Sequence, residues 1–341
     1  VLDADEEISP RVREAMLEGV KAPTVLAYHL HFRNVTEEGV RTHGVRMTRL
    51  FRNLEGIAYE RAIHEQVIHS LLRAAEGMDL RLSQLEGEVL HYGYTSEVMD
   101  DKGKKERNWE IFEKQAEKDP EDFYNWYKFG DFMRRFGTPA LVKEKLGRAL
   151  EILRNLPESR LVEAPYAAEV ATLIALEESK EGNQERAEEL LEMAMDRFMR
   201  TPNTLYIAGG VAVRTGRPRL ALDYYDQCLA FKDRVLVVPI EDGLVDYATW
   251  HAMGAAWAGL GFHRRGREYI EAALAKNPDY LPAVLGLTGL FLDLGRAEDA
   301  LGVLTWHLGR RPDSAVAWEQ GAGILLRLGL VDRARTWADR A

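Results

Sequence analysis

Residues 281–312 read LPAVLGLTGLFLDLGRAEDALGVLTWHLGRRP. Gly295 marks a turn between two helices, and Pro312 closes the second. The unit recurs along the chain. Gly261, Gly295 and Gly329 stand 34 residues apart, as do Gly182 and Gly216. A period of that length is one pair of antiparallel helices per repeat. Glycine suits the turn because it adopts positive φ where the first helix stops.

Position by position, the repeats agree. With the turn glycine at position 15, position 8 is where the paired helices cross and should be small. It reads Gly130, Ala175, Gly209, Gly254, Thr288 and Ala322. Position 20 faces it and reads Val142, Ala187, Ala221, Gly266, Ala300 and Ala334. Position 27 packs on the next unit and reads Ala149, Ala194, Cys228, Ala273, His307 and Ala341. Position 4 is the apolar filler: Trp126, Ala171, Leu205, Trp250, Val284 and Trp318. Pro278 closes another second helix, and Pro120 closes an earlier half-repeat. This pattern resembles the tetratricopeptide repeat family over roughly residues 106–341. The resemblance implies an α-solenoid of a half-repeat and about six repeats, a binding shape with no chemistry of its own. Val142, Thr288 and His307 depart from the small-residue pattern.

Two spacings break the period. Gly137 to Gly182 and Gly216 to Gly261 are each 45 residues, so 11 are inserted, around Pro157–Ala167 and Val235–Asp246. Such insertions become loops between units. The apolar run from Arg234 to Ile240 is expected to pack on the adjacent groove, with a partner-binding strand as the alternative. The first helices supply the concave face, where Tyr124, Tyr127, Asp131, Arg134 and Arg135, then Tyr206, Arg214 and His251, are candidate partner contacts. Trp109 and Phe112 in the half-repeat need cover.

The formal charge of −10 and pI near 5.5 argue against nucleic acid as the main partner, because phosphate binding needs a basic face. Cys228 is the only cysteine and sits at a small core position. A lone cysteine makes no internal disulfide, which fits a reducing compartment and a cytoplasmic location. No apolar run approaches the roughly 18–20 residues of a membrane span. Val1 stands inside a predicted strand and Ala341 in the middle of a helix, so both ends read as cut.

The first hundred residues differ from the rest. Val1–Glu7 reads as a buried strand ending in carboxylates. Ser9-Pro10 is a helix start, with the helix running to about Gly19. Thr24–Phe32, Arg46–Phe51 and Gly56–Ile63 are rich in strand formers. Val67–Ala75 reads as helix, Glu88–Tyr92 as a last strand, and the polar stretch Tyr94–Arg107 as a connection, with residues 96–105 as the linker proper. His29 and His31 share one strand face, compatible with a metal pair or with a half-exposed strand. His64-Glu65 and His69 do not make a zinc-protease helix. Five residues of separation put the two histidines about 140° apart around the axis.

Asp3 and Asp5, one residue apart at a strand end, can both reach a divalent ion such as Mg²⁺ or Mn²⁺; alone, the pattern also fits a solvated acidic turn. Leu2-Asp-Ala-Asp-Glu6, Arg49-Leu-Phe-Arg-Asn53, Gly56-Ile-Ala-Tyr59, Ile63-His-Glu-Gln66 and His91-Tyr-Gly-Tyr94 follow in order. Together they resemble the second half of a family 2 glycosyltransferase of the GT-A fold, over roughly residues 1–95. That resemblance implies a mostly α chain with a partial α/β GT-A domain in front of the repeats. It also implies a nucleotide-sugar donor and a glycan, peptide or protein acceptor. Asp3 and Asp5 would hold the metal and diphosphate, joined by His64 or His91. Glu65 would be the general base, and Arg49 and Arg52 would hold phosphate oxygens. Alternative roles stay open: Glu65 as a helix cap, His64 and His91 as structural histidines, and the arginines on a solvated strand face. The nucleotide-recognising strands of that family precede the Asp-x-Asp strand and are missing here, so the chain as it stands is expected to be inactive. The alternative is a non-catalytic interaction scaffold with a degenerate front end.

Overall fold

The computed structural model describes residues 2–35, 41–61, 67–92, 102–161, 164, 166–232, 234, 238, 240–241 and 243–341. It divides into two compact units. The first comprises Val1–Glu181, Glu192–Met199 and Val235–Asp242; the second comprises Gly182–Leu191, Arg200–Arg234 and Gly243–Ala341.

The front of the first unit is a mixed sheet. Its elements are β1 (Glu6–Ile8), α1 (Pro10–Gly19), β2 (Val25–Val35), β3 (Arg41–Phe51), α2 (Ile68–Ala74) and β4 (Arg81–His91). The strand order is β1-β4-β2-β3. β2 and β4 run parallel, while the outer pairs are antiparallel. Ser9 caps α1 through its hydroxyl and the Val12 amide (3.3 Å), and Pro10 opens the first turn. Val12, Leu30, Phe32 and Val89 form one core cluster, joined by Ile8, Met16, Met47 and Leu85. Leu26, Ala27, Val67, Leu71 and Ala75 form a second beside α2.

Three strand expectations shift. Asp3-Ala4-Asp5 lies before β1, in a turn closed by the Glu6 amide on the Asp3 carbonyl (3.2 Å). Aspartates favour such turns because their side chains bond nearby amides. The stretch from Gly56 to Arg61 is not a strand; Gly56 turns at φ +84°. β4 is 11 residues long rather than five. Its apolar alternation is broken by a bulge at Leu85–Gly87, where three residues oppose Leu30 alone. Among the described residues, what precedes the repeats is a small four-stranded sheet with two helices, and that alone does not make a GT-A domain.

The rest of the first unit is helical: α3 (Lys102–Lys118), α4 (Phe123–Phe136), α5 (Pro139–Asn155), α6 (Glu158–Leu161) and α7 (Ala167–Lys180). α3 starts inside the stretch read as linker. Phe112 gets its cover by stacking on Phe129 at 5.0 Å, and Trp109 meets Phe129 edge-on at 5.6 Å. The Asn125 amide donates to the Phe112 carbonyl (3.2 Å) and ties α3 to α4. Asp122 caps α4 by accepting from the Tyr124 and Asn125 amides. Arg61, in the left-handed region at φ +83°, pairs with Asp122 and lies 4.5 Å over the Tyr124 ring. The sheet part and the first hairpin are joined there.

Further along come α8 (Gln184–Met193), α9 (Pro202–Arg214), α10 (Pro218–Leu229), α11 (Tyr247–Gly259), α12 (His263–Lys276), α13 (Leu281–Asp293), α14 (Ala297–Arg310), α15 (Ala315–Arg327) and α16 (Val331–Ala338). A single turn of π-helix, Ala194–Phe198, follows α8. The hairpin turns share one hydrogen-bond signature. The amide three residues past each helix end reaches back five residues: Arg217 to Ala212, Phe262 to Trp257, Arg296 to Phe291, and Leu330 to Leu325, at 2.8–3.0 Å. This closure needs a left-handed residue, and Gly216, Gly261, Gly295 and Gly329 provide it at φ +70° to +85°. Gly137 is the exception, at φ −112°, because Thr138 caps the next helix directly and Pro139 starts it.

Where the paired helices cross, the small residues are required. A Cβ on Gly254 would lie 2.6 Å from the Ile270 side chain and 2.8 Å from the Gly266 carbonyl. Thr288 fits by turning its hydroxyl onto the Val284 carbonyl (2.8 Å). His307 is buried, and burial holds its pKa below the ordinary value. Ile270, Leu287, Leu304 and Ile324 run through one core cluster spanning the last three hairpins. Cys228 is fully buried at its small position, with its sulfur near the Pro202 and Leu244 carbonyls and the Thr249 hydroxyl, and burial raises its thiol to about 11. Among the described residues no helix is long and apolar enough to cross a membrane.

Candidate functional site

The acidic residues singled out near the start meet basic partners at one end of the sheet. Arg49, on β3, donates to Asp3 Oδ2 (2.7 Å) and to Glu6 Oε1 (2.6 Å). The Glu6 side chain is only 1 % exposed and that of Arg49 only 14 %. Burial opposes the Arg49 charge, but the hydrogen bond and charge of Asp3 and the charge of Glu6 outweigh it and raise its pKa. His91, at the end of β4, sits 3.4 Å from Asp5 through Nε2. Tyr92 donates its hydroxyl to Glu7 (2.9 Å). The structure thus brings Asp3, Arg49 and Glu6 together and pairs Asp5 with His91.

Arg52 is elsewhere and otherwise engaged. Its guanidinium donates to the carbonyls of Val25 (2.7 Å), Ala22 and Pro23 (both 2.8 Å), which fastens the loop between α1 and β2. A phosphate bound bidentately through Nε and Nη2 would have to displace these bonds. His64 and Glu65 lie outside the described residues. Among the described residues no group of three or more His, Cys, Asp or Glu is placed to hold a metal ion. Asp3, held by a guanidinium, has one carboxylate oxygen committed already. Among the described residues, Asp3 and Asp5 as arranged therefore do not fit a divalent ion. Glu6, which the sequence reading passed over, is the best-buried acid of the cluster. Its signal was the alternation of β1, which turns Glu6 and Ile8 to one face and Glu7 to the other.

The helical hairpins carry the second candidate region. In the first hairpin, Tyr124 and Tyr127 are buried rather than open to a partner. Tyr166, from the first insertion, covers them, 5.1 Å from Tyr124 and stacked 5.7 Å from Tyr127. Burial, with Asp131 and Glu169 nearby, pushes the Tyr127 hydroxyl well above its ordinary pKa. Asp131 is bonded to Lys128 (3.1 Å), and Arg134 lies 3.8 Å from Glu177. The expectation of an open aromatic face here fails because the insertion folds back onto it. Val238 of the second insertion is buried too.

The second unit is different. There α9, α11 and α13 lie side by side. Position 9 of four successive first helices reads Gly210, Ala255, Gly289 and Gly323. A Cβ at Gly289 or Gly323 would meet nothing within 4 Å, and Ala255 is exposed. None of these small residues is required by helix packing. Val213 and Leu326, one turn further along, are 37 % and 59 % exposed. His251 meets Tyr280 edge-on at 5.8 Å and lies against Gly286, whose absent Cβ would come within 2.7 Å of Nε2. Burial pushes its pKa down to about 4, so it is neutral at physiological pH. The exposed side of these helices is small, apolar and largely uncharged.

Comparison with known proteins supports the helical part. No family model matches the chain. A TPR repeat-containing protein of Synechococcus elongatus is 29% identical over 200 residues, covering 58% of this chain and 46% of that protein. The match thus spans just under half the length of that relative. The crystal structure of the APC/C hetero-tetramer Cut9-Hcn1 superposes with a TM-score of 0.51 at 16% identity, over 68% of this chain and 40% of that one. YrrB, a TPR protein with an unusual peptide-binding site, gives a TM-score of 0.41 at 18% identity, over 60% of this chain and 95% of that one. With the turn geometry and the crossing residues above, the helical part of this chain has the tetratricopeptide repeat fold.

Proposed function

We propose that the chain is a tetratricopeptide scaffold that holds an extended, mainly apolar segment of a partner protein along α9, α11, α13 and α15. One observation carries this reading. Position 9 is small in four consecutive repeats, and at Gly289 and Gly323 an added Cβ would meet nothing within 4 Å. A residue that costs helix stability and serves no internal contact is explained by something that approaches from outside. Small residues let a peptide backbone come close, and the exposed Val213 and Leu326 offer apolar contact at either end. Peptides selected from a displayed library against the whole chain supply the test. Their affinity should fall by about tenfold or more in Gly289→Leu, as expected when a groove is filled, with a thermal midpoint no lower than that of the original protein. Selected peptides that bind this variant as tightly as the original protein would remove the groove from consideration.

A second reading keeps the front end as part of a glycosyltransferase. It is favoured by the convergence of Asp3, Asp5, Glu6, Arg49 and His91 at one end of the sheet and by the ordered motifs of residues 1–95. On this reading the repeats position an acceptor or a partner, and Glu65 takes the acceptor proton. A divalent ion does not fit the residues as they stand, so no step is drawn through one. The experiment is turnover of nucleotide-sugars by the whole product of the gene. Loss of turnover in Asp5→Ala and in Glu65→Ala supports the assignment, and unchanged turnover in both ends it.

A further inference from the structure

The bulge in β4 makes a cavity that neither reading uses. His29 opposes Gln84 and His31 opposes Glu88, so the three residues between them on β4 face a single residue of β2. Gly87 permits this at φ +104°, and its missing Cβ would come 2.5 Å from the Val12 side chain. The opening is a half-open cleft of about 430 Å³ lined by His29, His31, Arg46 and Gln84, with Arg11 and Glu86 at its edge. That size suits a small organic ligand.

The charges around the opening can be paired off. Arg11 is ion-paired to Glu86, and Arg33 lies 3.5 Å from Glu88. Arg46 is what remains. Its Nη1 is buried and has no hydrogen-bond partner among the described residues. A buried guanidinium nitrogen left without a partner is costly, and an oxyanion would relieve the cost with a charge-assisted bond. Next to it, His29 Nδ1 and the Thr48 hydroxyl are 2.9 Å apart. Burial first, and the charge of Arg46 second, hold the His29 pKa below its ordinary value. The imidazole is then neutral at physiological pH. In the tautomer in which Thr48 donates to Nδ1, the proton resides on Nε2, where it is a neutral donor.

We propose that this cavity is a binding site for the carboxylate group of a small organic acid, held by Arg46 with His29 and Gln84 as neutral donors. Among the described residues, the single uncompensated positive charge of Arg46 matches a monoanion. A phosphate dianion would bring a second negative charge beside Glu86 and Glu88 with nothing to balance it.

The test is a titration of the full chain with sodium acetate, and separately with inorganic phosphate, at constant ionic strength and neutral pH. The His29 ring resonances report occupancy. Acetate should give a saturable shift, with phosphate binding more weakly. Arg46→Gln should weaken acetate binding by about tenfold or more, the usual size of a lost charge-assisted contact, and Arg46→Lys should retain part of it. Neither variant should melt below the original protein, since neither loses a bond within the chain, and Arg46→Gln should melt at the same temperature or higher because it removes the unpartnered buried nitrogen. A His29 signal that moves only linearly with acetate overturns the proposal. So does an Arg46→Gln variant that saturates at the same concentration, or phosphate binding more tightly than acetate.

Discussion

Gly254 and Gly289 are both helical, and they respond oppositely to a methyl group. At Gly254 the added carbon would lie 2.6 Å from Ile270 and 2.8 Å from the Gly266 carbonyl, so α11 and α12 must separate. Gly254→Ala should destabilise the chain by about 1–3 kcal/mol, the usual cost of overpacking. At Gly289 the same carbon meets nothing, and Gly289→Ala should stabilise by about 0.5–1 kcal/mol through helix propensity. Urea unfolding followed by far-UV circular dichroism distinguishes them by the direction of the midpoint shift. His251 supplies a pH dependence. Its folded pKa of about 4 lies below the ordinary value near 6.5, so the unfolded chain takes up the proton first. Its contribution to stability is complete above pH 6.5 and is lost as the pH falls toward 4, by about 2 kcal/mol at pH 5. Comparing urea midpoints at pH 7 and pH 5 for the original protein and His251→Gln isolates it. A variant with the same pH slope as the original would show that His251 is not the group responsible.

Among the elements, α4 is the one on which two parts of the first unit depend. Asp122 does two jobs there: it caps the helix through two amides and pairs with Arg61, whose guanidinium also covers Tyr124. Asp122→Ala should cost about 1–3 kcal/mol as a lost cap plus a partly buried ion pair. Arg61→Ala should cost less, because it leaves the cap in place. The double variant should be less destabilised than the sum by about 0.5 kcal/mol or more, and strict additivity would mean that the two side chains do not act on each other. The cap went unread, although an aspartate ahead of an aromatic run is a local signal for one. The partner has no such signal, because 61 residues separate Arg61 from Asp122 and no local pattern links them. β4 was half legible for a related reason. Its bulge breaks the period of two on which strand recognition relies, so only the final stretch stood out. Tyr166 was missed because an insertion carries no repeat register, and only its aromatic character hinted that it would seek cover.

At the scale of the whole chain, the repeats were readable and the sheet was not, and redundancy explains the difference. Each crossing position is stated six times, so Thr288 and His307 can depart without hiding the pattern. Each front-end motif is stated once, and the residues that decide its chemistry are paired with partners distant in sequence, as Asp3 is with Arg49. The same repetition sets how the helical part should respond to cutting. Each hairpin packs chiefly on its neighbours, so stability accumulates unit by unit rather than from one central core. Removing residues 315–341 would strip α15 and α16 from α14 and expose Leu304 and Leu308, which now lie buried in the cluster that reaches Ala317 and Ile324. The shortened chain should keep the helical signal of the remaining hairpins, lose only the share of the deleted residues, and melt a few degrees lower, the shift expected for a loss of about 1–2 kcal/mol. Far-UV circular dichroism with a thermal melt measures both quantities. Loss of helical signal across the whole chain would contradict nearest-neighbour packing, because a core that fails everywhere when one end is removed is not built from separable hairpins.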